Sequence, residues 1–339
     1  MVRIFSGFVG LSLLVTGCSG PRTAASARPF PEPKPYVRIT NTDSNRLQLQ
    51  IAAREFLPPR RGEPVVWLAG VSHIGESNYY AALQSQLDEQ TLVLFEGVGA
   101  PDRQSSTEND KKAAPSKSAS ANSIDNGGDR GSLQSAMASA LGLVFQLEAI
   151  DYRRDNFRNS DLSLTQMRQL IAEQETGSGK PGASESFEDL LTLMQGNSWL
   201  DSLIQLALRF LGTNPKFQAL GRLALIDLLG QIQGDPSRLE GLPPDLKQLL
   251  EVLLQRRNEK VITDLKSELP QIGRNGSIAI FFGTGHMPDL EKRLRRDLKY
   301  RPKRDLWFTA FGVDLVKSKI SPSERALIDD FIKWQVKEH

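Results

Sequence analysis

Short apolar runs constrain the fold of this chain more than any other feature of its sequence. Residues 64–70 (PVVWLAG), 91–96 (TLVLFE) and 277–283 (SIAIFFG) are almost wholly apolar and end at a glycine or a glutamate, and Phe145–Asp151 repeats the pattern. Such runs are typical of strands that are buried on both faces of a parallel sheet. Helix-like sequence (YYAALQSQLDE) separates the first two runs. The order strand, helix, strand predicts an α/β fold: a mainly parallel β-sheet core with flanking helices.

The remaining segments are predicted to surround this sheet. Residues 36–40 and 47–56 flank an Asn/Asp-rich turn and predict a hairpin. Residues 187–268 have helical periodicity interrupted by Pro and Gly, and we expect a helical insertion subdomain there. Residues 101–131 are rich in Ser, Ala, Lys, Asp and Gly and predict a disordered insertion. We expect a shorter linker at residues 176–186 and a C-terminal helix within residues 316–339.

Composition and missing motifs exclude several classes of protein. The 339 residues include 42 basic and 40 acidic side chains, so nothing in the bulk charge favours nucleic acid as a partner. A single cysteine excludes internal disulfides, Cys-rich zinc sites and iron–sulfur clusters. The chain also lacks His-Glu-x-x-His, Gly-x-Ser-x-Gly, Walker-type and dinucleotide-binding glycine motifs. Thermolysin-like proteases, α/β-hydrolases, P-loop enzymes and dinucleotide oxidoreductases are therefore disfavoured.

The N-terminus has the pattern of a secreted lipoprotein. Arg3 precedes an apolar run over residues 5–15, which is shorter than the roughly 20 residues that a membrane-spanning helix needs. The run ends in LVTGC, which resembles a bacterial lipobox and would make Cys18 the lipidated residue; the alternative is a cysteine buried in an apolar segment. Residues 1–17 are thus predicted to be a signal peptide and residues 18–35 a Pro-rich tether. We expect a lipid anchor in the bacterial cell envelope, and Ser19 favours the outer membrane.

Three chemistry-bearing residues follow the apolar runs. The first run continues to His73 and the last to His286, each through Gly-x-x-His, while the second ends at Glu96. Because ligands bind at the carboxyl ends of parallel strands, we expect these side chains to share one edge of the sheet. Two imidazoles and a carboxylate can hold a divalent metal, which lowers the pKa of its bound water and polarises a carbonyl. A single His after a strand is more often structural, but these elements use both non-terminal histidines of the chain.

Other polar residues are candidates for the same site. Glu96 is costly to bury unless it is paired, protonated or ligating, and an ion pair with Arg or Lys is the alternative. Glu76 is a candidate second ligand or general base, or it compensates the dipole of the following helix. Arg257 and Asn258 place a guanidinium beside an amide, which suits stabilisation of an oxyanion. The alternative for this pair is a solvated, charged helix face.

The ordered motifs resemble those of a known family. GVSHIG, LVLFEG, QRRNEKVI and IAIFFGTGHMPDLEKRL, over residues 36–315, resemble the TraB/GumN family, the bacterial relatives of the animal TIKI proteins. The segment AIDYRRDNFRNSDLS is similar to one in a lipoprotein-like branch of that family. The resemblance implies a fold shared with erythromycin-esterase-like and ChaN-like proteins. It also implies His73 and His286 as ligands of a divalent cation, Glu96 as a further ligand or a catalytic carboxylate, and Arg257 and Asn258 as polar support. Two imidazoles with oxygen donors leave Mn, Co and Zn possible.

These observations together predict a membrane-anchored, extracytoplasmic, metal-dependent hydrolase that acts on peptides or proteins. In this prediction Glu96 or Glu76 manages the proton and Arg257 stabilises the developing negative charge. Two alternatives stay open. One is a ChaN-like lipoprotein that binds haem or a metal without catalysis, and the other is a degenerate scaffold that has kept only the fold.

Overall fold

A seven-stranded mixed β-sheet forms the centre of the protein. The computed structural model describes residues 31–43, 45–97, 133–178, 182–195, 208, 212–231 and 249–337. The chain from Glu32 onward forms one unit. The predicted signal peptide, Cys18, most of the tether, the insertion at 101–131 and the C-terminal His339 lie outside the described residues.

Strands and helices alternate along much of the chain. The strands are β1 (Val37–Asp43), β2 (Arg46–Leu57), β3 (Val65–Val71), β4 (Ile74–Gly75), β5 (Leu92–Phe95), β6 (Val144–Phe145), β7 (Phe157–Asn159), β8 (Ser277–Gly283) and β9 (Arg301–Asp314). The helices are α1 (Ser77–Asp88), α2 (Leu133–Ala140), α3 (Gln146–Ala149), α4 (Leu164–Ser178), α5 (Ala183–Gln195), α6 (Pro215–Gln231), α7 (Arg257–Glu268), α8 (Met287–Asp297) and α9 (Pro322–Lys337). A π-helical turn (Glu251–Arg256) leads into α7, and a 3₁₀ turn (Thr284–His286) leads into α8. No described helix is both long and apolar enough to cross a membrane.

The parallel part of the sheet carries the strands predicted from the apolar runs. Strands β3, β8, β5 and β7 lie side by side in that order and run parallel. Strand β2 pairs antiparallel with β3, and β1 forms the predicted hairpin with β2. Strand β9 pairs along the other edge of β2. The predicted α/β class, with a mostly parallel sheet flanked by helices, is confirmed.

Both faces of the sheet are buried, which explains the continuous apolar runs. Alternate residues of one strand point to opposite faces, so Trp67 and Ala69 belong to one core cluster while Val66 and Leu68 belong to another. Helices α1 and α6 contribute side chains to the first cluster, and α7 and α8 to the second. A third, smaller cluster joins α4, α5 and the π-helical turn.

One strand prediction was wrong. Of the predicted strand Phe145–Asp151, only Phe145 belongs to a strand, as the last residue of β6, and α3 begins at Gln146. The backbone N–H of Gln146 donates to the backbone carbonyl of His73, at 2.8 Å, rather than to a residue of a neighbouring sheet strand. The place beside β5 is taken by β7 instead. In the predicted helical region, the described residues are helical over α5, α6, the π-helical turn and α7, and the C-terminal helix begins only at Pro322.

Candidate active site

Three adjacent strand ends bring the predicted site residues to one edge of the sheet. Strand β8 lies between β3 and β5, with Val71 opposite Gly283. His73 follows β3, His286 follows β8, and Glu96 follows β5 directly. All three therefore lie at the carboxyl end of the parallel strands, the edge where α/β proteins bind ligands.

Glu96 is held from two sides. Its Oε1 accepts from Nη2 of Arg257 at 2.5 Å, and its Oε2 accepts from the Gly283 amide at 2.6 Å. The Nε2 atom of His286 lies 3.7 Å from Oε1. Burial on its own raises the pKa of the Glu96 carboxyl, but the charges of Arg257, His286 and His73 and the Gly283 amide together hold this pKa far below its ordinary value. Glu96 is therefore a carboxylate throughout the physiological pH range.

The glycine of the second Gly-x-x-His motif makes room for this arrangement. A Cβ atom at position 283 would lie 3.2 Å from Oε2 of Glu96 and 3.6 Å from Nε2 of His73. Gly283 has a φ of −50°, which any residue can adopt, so space and not backbone conformation explains the glycine. The same position shows that the Glu96 carboxylate and the His73 ring approach one point from two sides.

His286 is a buried, neutral imidazole whose unprotonated nitrogen faces Arg257. Its Nδ1 lies 2.8 Å from Oδ1 of Asn258, whose Nδ2 donates to Asp289 at 2.9 Å. Because Asp289 fixes the amide orientation, Oδ1 accepts from the ring and Nδ1 carries the proton. Burial, with the charge of Arg257 adding to it, lowers the pKa of His286 to about 4, against the opposing charge of Glu96. Its Nε2 thus presents a lone pair toward Arg257 and Glu96.

His73 repeats this arrangement at the exposed side of the cluster. Its Nδ1 lies 3.0 Å from Oε1 of Gln146, whose Nε2 donates to the Tyr152 hydroxyl at 2.7 Å. The Gln146 oxygen faces the ring in this arrangement, and because an amide oxygen only accepts, the His73 proton lies on Nδ1 and Nε2 is unprotonated. The residue is exposed, whereas His286 is buried. Both histidines therefore present Nε2, and an amide oxygen orients each ring.

Arg257 links the cluster to a buried aspartate that the sequence analysis missed. Its Nε and Nη2 donate to the two oxygens of Asp161 at 2.8 and 2.7 Å, and the Asp161 side chain is 0 % exposed. Nη2 also donates to Glu96, while Nη1 lies 3.3 Å from the Leu253 carbonyl and 3.4 Å from Nε2 of His286. Each of the five guanidinium N–H groups thus has a protein partner. In this arrangement Arg257 positions Glu96, and it could stabilise an oxyanion only by releasing one of these contacts.

The chain was compared with known proteins. No family model, no curated protein and no solved structure matches it. The resemblance to the TraB/GumN family therefore stays a prediction that rests on the motifs themselves.

The cluster fits a divalent cation in the kind of donor that it offers. Two imidazoles that present Nε2, each oriented by an amide, and one carboxylate are typical of metal-binding residues and their supporting contacts. The distances between these donors do not match those of a metal site. Within the described part of the chain, no three His, Cys, Asp or Glu side chains are grouped closely enough to hold a metal ion. The Arg257 guanidinium lies against both Glu96 and His286.

Glu76 lies at the start of α1 and turns toward other partners. Its Oε1 is 3.5 Å from Nη1 of Arg222 and 3.4 Å from the Gly312 amide. Among the described residues no hydrogen bond or ion pair joins Glu76 to Glu96 or to either histidine. The structure therefore brings together His73, His286, Glu96, Arg257 and Asn258, and gives Glu76 a place between α6 and β9.

Sequence patterns did not predict two residues of the cluster, Asp161 and Gln146. Asp161 follows β7, so the rule that polar residues gather at strand ends would have found it if that three-residue strand had been recognised. Gln146 lies at the start of α3, in the segment misassigned as a strand. A neutral amide inside an apolar run carries no charge signal, and only the fold reveals its contact with His73.

Proposed function

We propose that this protein is a membrane-anchored, extracytoplasmic, metal-dependent hydrolase that cleaves peptides or proteins, as the TraB/GumN resemblance implies. One observation carries the proposal. His73 and His286, which follow neighbouring parallel strands, lie near a glutamate whose pKa is held far below its ordinary value, at the edge of the sheet where ligands bind. The anchor at Cys18 and the location in the cell envelope belong to the same proposal.

His73, His286 and Glu96 are the residues that would hold a divalent cation, with Mn, Co and Zn all compatible with nitrogen and oxygen donors. A bound cation would polarise the scissile carbonyl and lower the pKa of a water molecule. Asn258 and Gln146 keep the two rings in the orientation that ligation requires.

The pKa of Glu96 limits its part in the reaction. A carboxylate whose pKa lies far below neutrality is a weak proton acceptor, because general-base efficiency is greatest when the pKa is near the working pH. Glu96 is therefore better suited to act as a fixed negative charge than as the base that the sequence suggested. Arg257 and Asp161 keep that charge in place.

A second candidate mechanism hydrolyses the same class of bond with His73 as the proton acceptor. The position of Arg257 favours this mechanism. Its guanidinium lies 2.5 Å from Glu96 and 3.4 Å from His286, and its positive charge opposes the binding of a cation by the same two side chains. His73 is exposed, and its free Nε2 can accept a proton from water, while the Gln146 contact on Nδ1 keeps the ring in place.

Metal content and hydrolysis by the full chain test the proposal together. We expect near-stoichiometric Mn, Co or Zn by mass spectrometry and cleavage of a peptide library. Both should be lost in His73→Ala and in His286→Gln. His339→Ala is the matched control, because it removes the remaining histidine of the chain and should leave metal content and cleavage unchanged.

Circular dichroism of each variant separates loss of function from loss of fold. If the protein cleaves peptides without bound metal, and His73→Ala abolishes that cleavage, the second candidate would replace the metal-dependent mechanism. Haem binding that depends on the two histidines, without any cleavage, would support the binding-lipoprotein alternative. No effect of either variant on metal content, haem binding or cleavage would contradict every functional role proposed for the cluster.

A further inference from the structure

A cluster of basic side chains covers the end of the sheet opposite the candidate active site. The loop between β2 and β3 carries Arg60 and Arg61, and Arg274 packs its side chain against Gly62 of the same loop. Strand β9 begins beside the end of β2, with Arg301 opposite Leu57. We call this surface the basic end and define it by six exposed residues: Arg60, Arg61, Arg274, Arg301, Lys303 and Arg304.

The direction of the strands fixes where the basic end lies. The loop that carries Arg60 and Arg61 leads directly into β3, so it lies at the amino end of the parallel strands. His73 follows the carboxyl end of the same strand. The seven residues of β3, at about 3.3 Å each, therefore separate the basic end from the candidate active site.

Two carboxylates, Glu55 and Glu63, form ion pairs with residues of the basic end. Lys303 and Arg304 share one of them, the buried Glu55, at 3.0 and 2.5 Å. Arg60 lies 3.8 Å from Glu63. Among the described ion pairs, the six residues of the basic end share two carboxylates, Glu55 and Glu63, so basic groups outnumber their carboxylate partners on this surface. Leu57, which is 41 % exposed, adds an apolar side chain there.

The chain that leads from the predicted anchor runs toward the same end. The carbonyl of Tyr36 accepts from the Ala52 amide, and the carbonyls of Pro35 and Lys34 accept from Arg54. Followed from β1 back toward the N-terminus, the backbone therefore moves along β2 toward its last residues, which border the basic end. Glu32 continues this segment and pairs with Lys292 at 2.6 Å.

The predicted anchor limits how far the protein can move from a bilayer. Cys18 and Glu32 are 14 residues apart in the sequence, and an extended chain of that length spans at most about 50 Å. We propose that the basic end is a membrane-contacting surface that binds anionic phospholipid headgroups. Basic residues near an anionic bilayer attract its surface, and an exposed leucine can enter the headgroup region. This contact would hold the candidate active site on the side of the protein that faces away from the membrane.

The predicted anchor at Cys18 supplies only the location in this argument, so the test removes it. The chain without its predicted signal peptide and Cys18, residues 19–339, is mixed with vesicles of phosphatidylcholine alone or with added phosphatidylglycerol, and bound protein is measured by flotation. We expect binding only to the vesicles that contain phosphatidylglycerol, with the bound fraction falling as salt is raised. Neutralising Arg60, Arg61 and Arg301 by substitution with Gln should weaken that binding by about 10- to 100-fold.

Two matched variants make the test specific. Arg46→Gln/Lys317→Gln/Lys319→Gln removes three exposed basic residues at the other end of β2 and β9 and should change binding less than about twofold. Arg60→Lys/Arg61→Lys/Arg301→Lys keeps the charge and should retain binding. Equal binding to both kinds of vesicle, equal loss in the two Gln variants, or binding to nucleic acid without any binding to vesicles would each overturn the proposal. None of these outcomes depends on whether the protein hydrolyses peptides.

Discussion

Two buried arginines, Arg54 and Arg257, have similar ion-pair partners but lie in different surroundings. Arg54, 2 % exposed in β2, donates to Glu291 at 2.6 Å and to Asp305 at 2.7 Å. Arg257, 8 % exposed at the start of α7, donates to Glu96 at 2.5 Å and to Asp161 at 2.7 Å. Each guanidinium therefore joins two carboxylates from distant parts of the chain.

The surroundings of the two arginines differ. Arg54 stacks on the Tyr36 ring and binds two backbone carbonyls, so its neighbours are groups that only hold the chain in place. Arg257 lies at the strand ends beside His286, whose unprotonated Nε2 is 3.4 Å from Nη1 of the guanidinium. A buried arginine with two carboxylates is thus not in itself a sign of function. Neighbouring groups that can ligate or accept a proton distinguish the candidate site.

The largest predicted effect is on stability, and it should be similar at the two arginines. Arg54→Met leaves Glu291 buried without its main partner, and Arg257→Met does the same to Glu96 and Asp161. We expect each to lower the free energy of unfolding by about 3–5 kcal/mol, the usual cost of breaking a buried ion pair. Urea unfolding measures this, and only Arg257→Met should also lower hydrolysis per folded molecule.

Arg153→Met is the control for this prediction. It removes an exposed ion pair with Asp151 and should cost less than about 1 kcal/mol. A loss of hydrolysis per folded molecule in Arg54→Met would remove the distinction between the two arginines.

The next prediction compares the loss of hydrolysis when a carboxylate charge is removed beside Arg257 and beside Arg54. Glu96→Gln keeps the size of the side chain but removes the charge beside His286, and Arg257 keeps both contacts with Asp161. We expect hydrolysis to fall on the order of 100-fold, because a fixed charge in the site is lost. The unfolding free energy should fall by only about 1–3 kcal/mol. Glu291→Gln, its counterpart beside Arg54, should leave hydrolysis unchanged, and equal activity losses would contradict the comparison.

A smaller effect is expected from crowding the Glu96 carboxylate. Gly283→Ala places a methyl group 3.2 Å from Oε2 of Glu96, so the carboxylate must move by a few tenths of an ångström. We expect hydrolysis to fall by about tenfold, because small displacements of reacting groups are costly, and stability to fall by about 1 kcal/mol. Gly273→Ala is the matched control, since a Cβ there has open space. Full activity in Gly283→Ala would show that the site tolerates displacement of Glu96.

The smallest effect concerns a carboxylate pair that no buried arginine joins. Asp227 of α6 faces Asp329 of α9, and Arg325 and Lys333 are the nearby cations. Burial first, and then the hydrogen bond and charge of Asp329, raise the pKa of Asp227 to about 6. The folded state therefore binds more protons than the unfolded state, and stability is lost as the pH rises from about 4 through 6.

Because Asp227 is only partly buried, solvent screening leaves roughly 1 kcal/mol of this pH dependence. Urea unfolding at pH 4.5 and 7.5 should show a larger loss of stability in the wild type than in Asp227→Asn. The same pH dependence in both proteins would show that this pair does not titrate as described.

The sequence was sufficient to predict the convergence of His73, His286 and Glu96, because strand polarity alone carries residues after parallel strands to one edge. It was not sufficient for Asp161 or Gln146. Asp161 follows a strand of three residues, too short for a periodic signal, and Gln146 contacts His73 across 73 positions of chain. The direction in which Glu76 turns depends on Arg222 and β9, whose place in the fold no local pattern specified. Residues whose role follows from one strand were predicted, and those that depend on tertiary neighbours were not.

The position of β8 in the sheet also sets the moment at which the candidate site can exist during synthesis. Strands β3 and β5 leave the ribosome early, yet they are not neighbours, and β8 is the last of the four parallel strands to be made. His73 and Glu96 therefore have no shared neighbour until residues 277–286 emerge and β8 inserts between them. A chain that stops before Ser277 has about four fifths of its residues but lacks β8 and His286. The candidate site is therefore assembled only when synthesis of the chain is nearly complete.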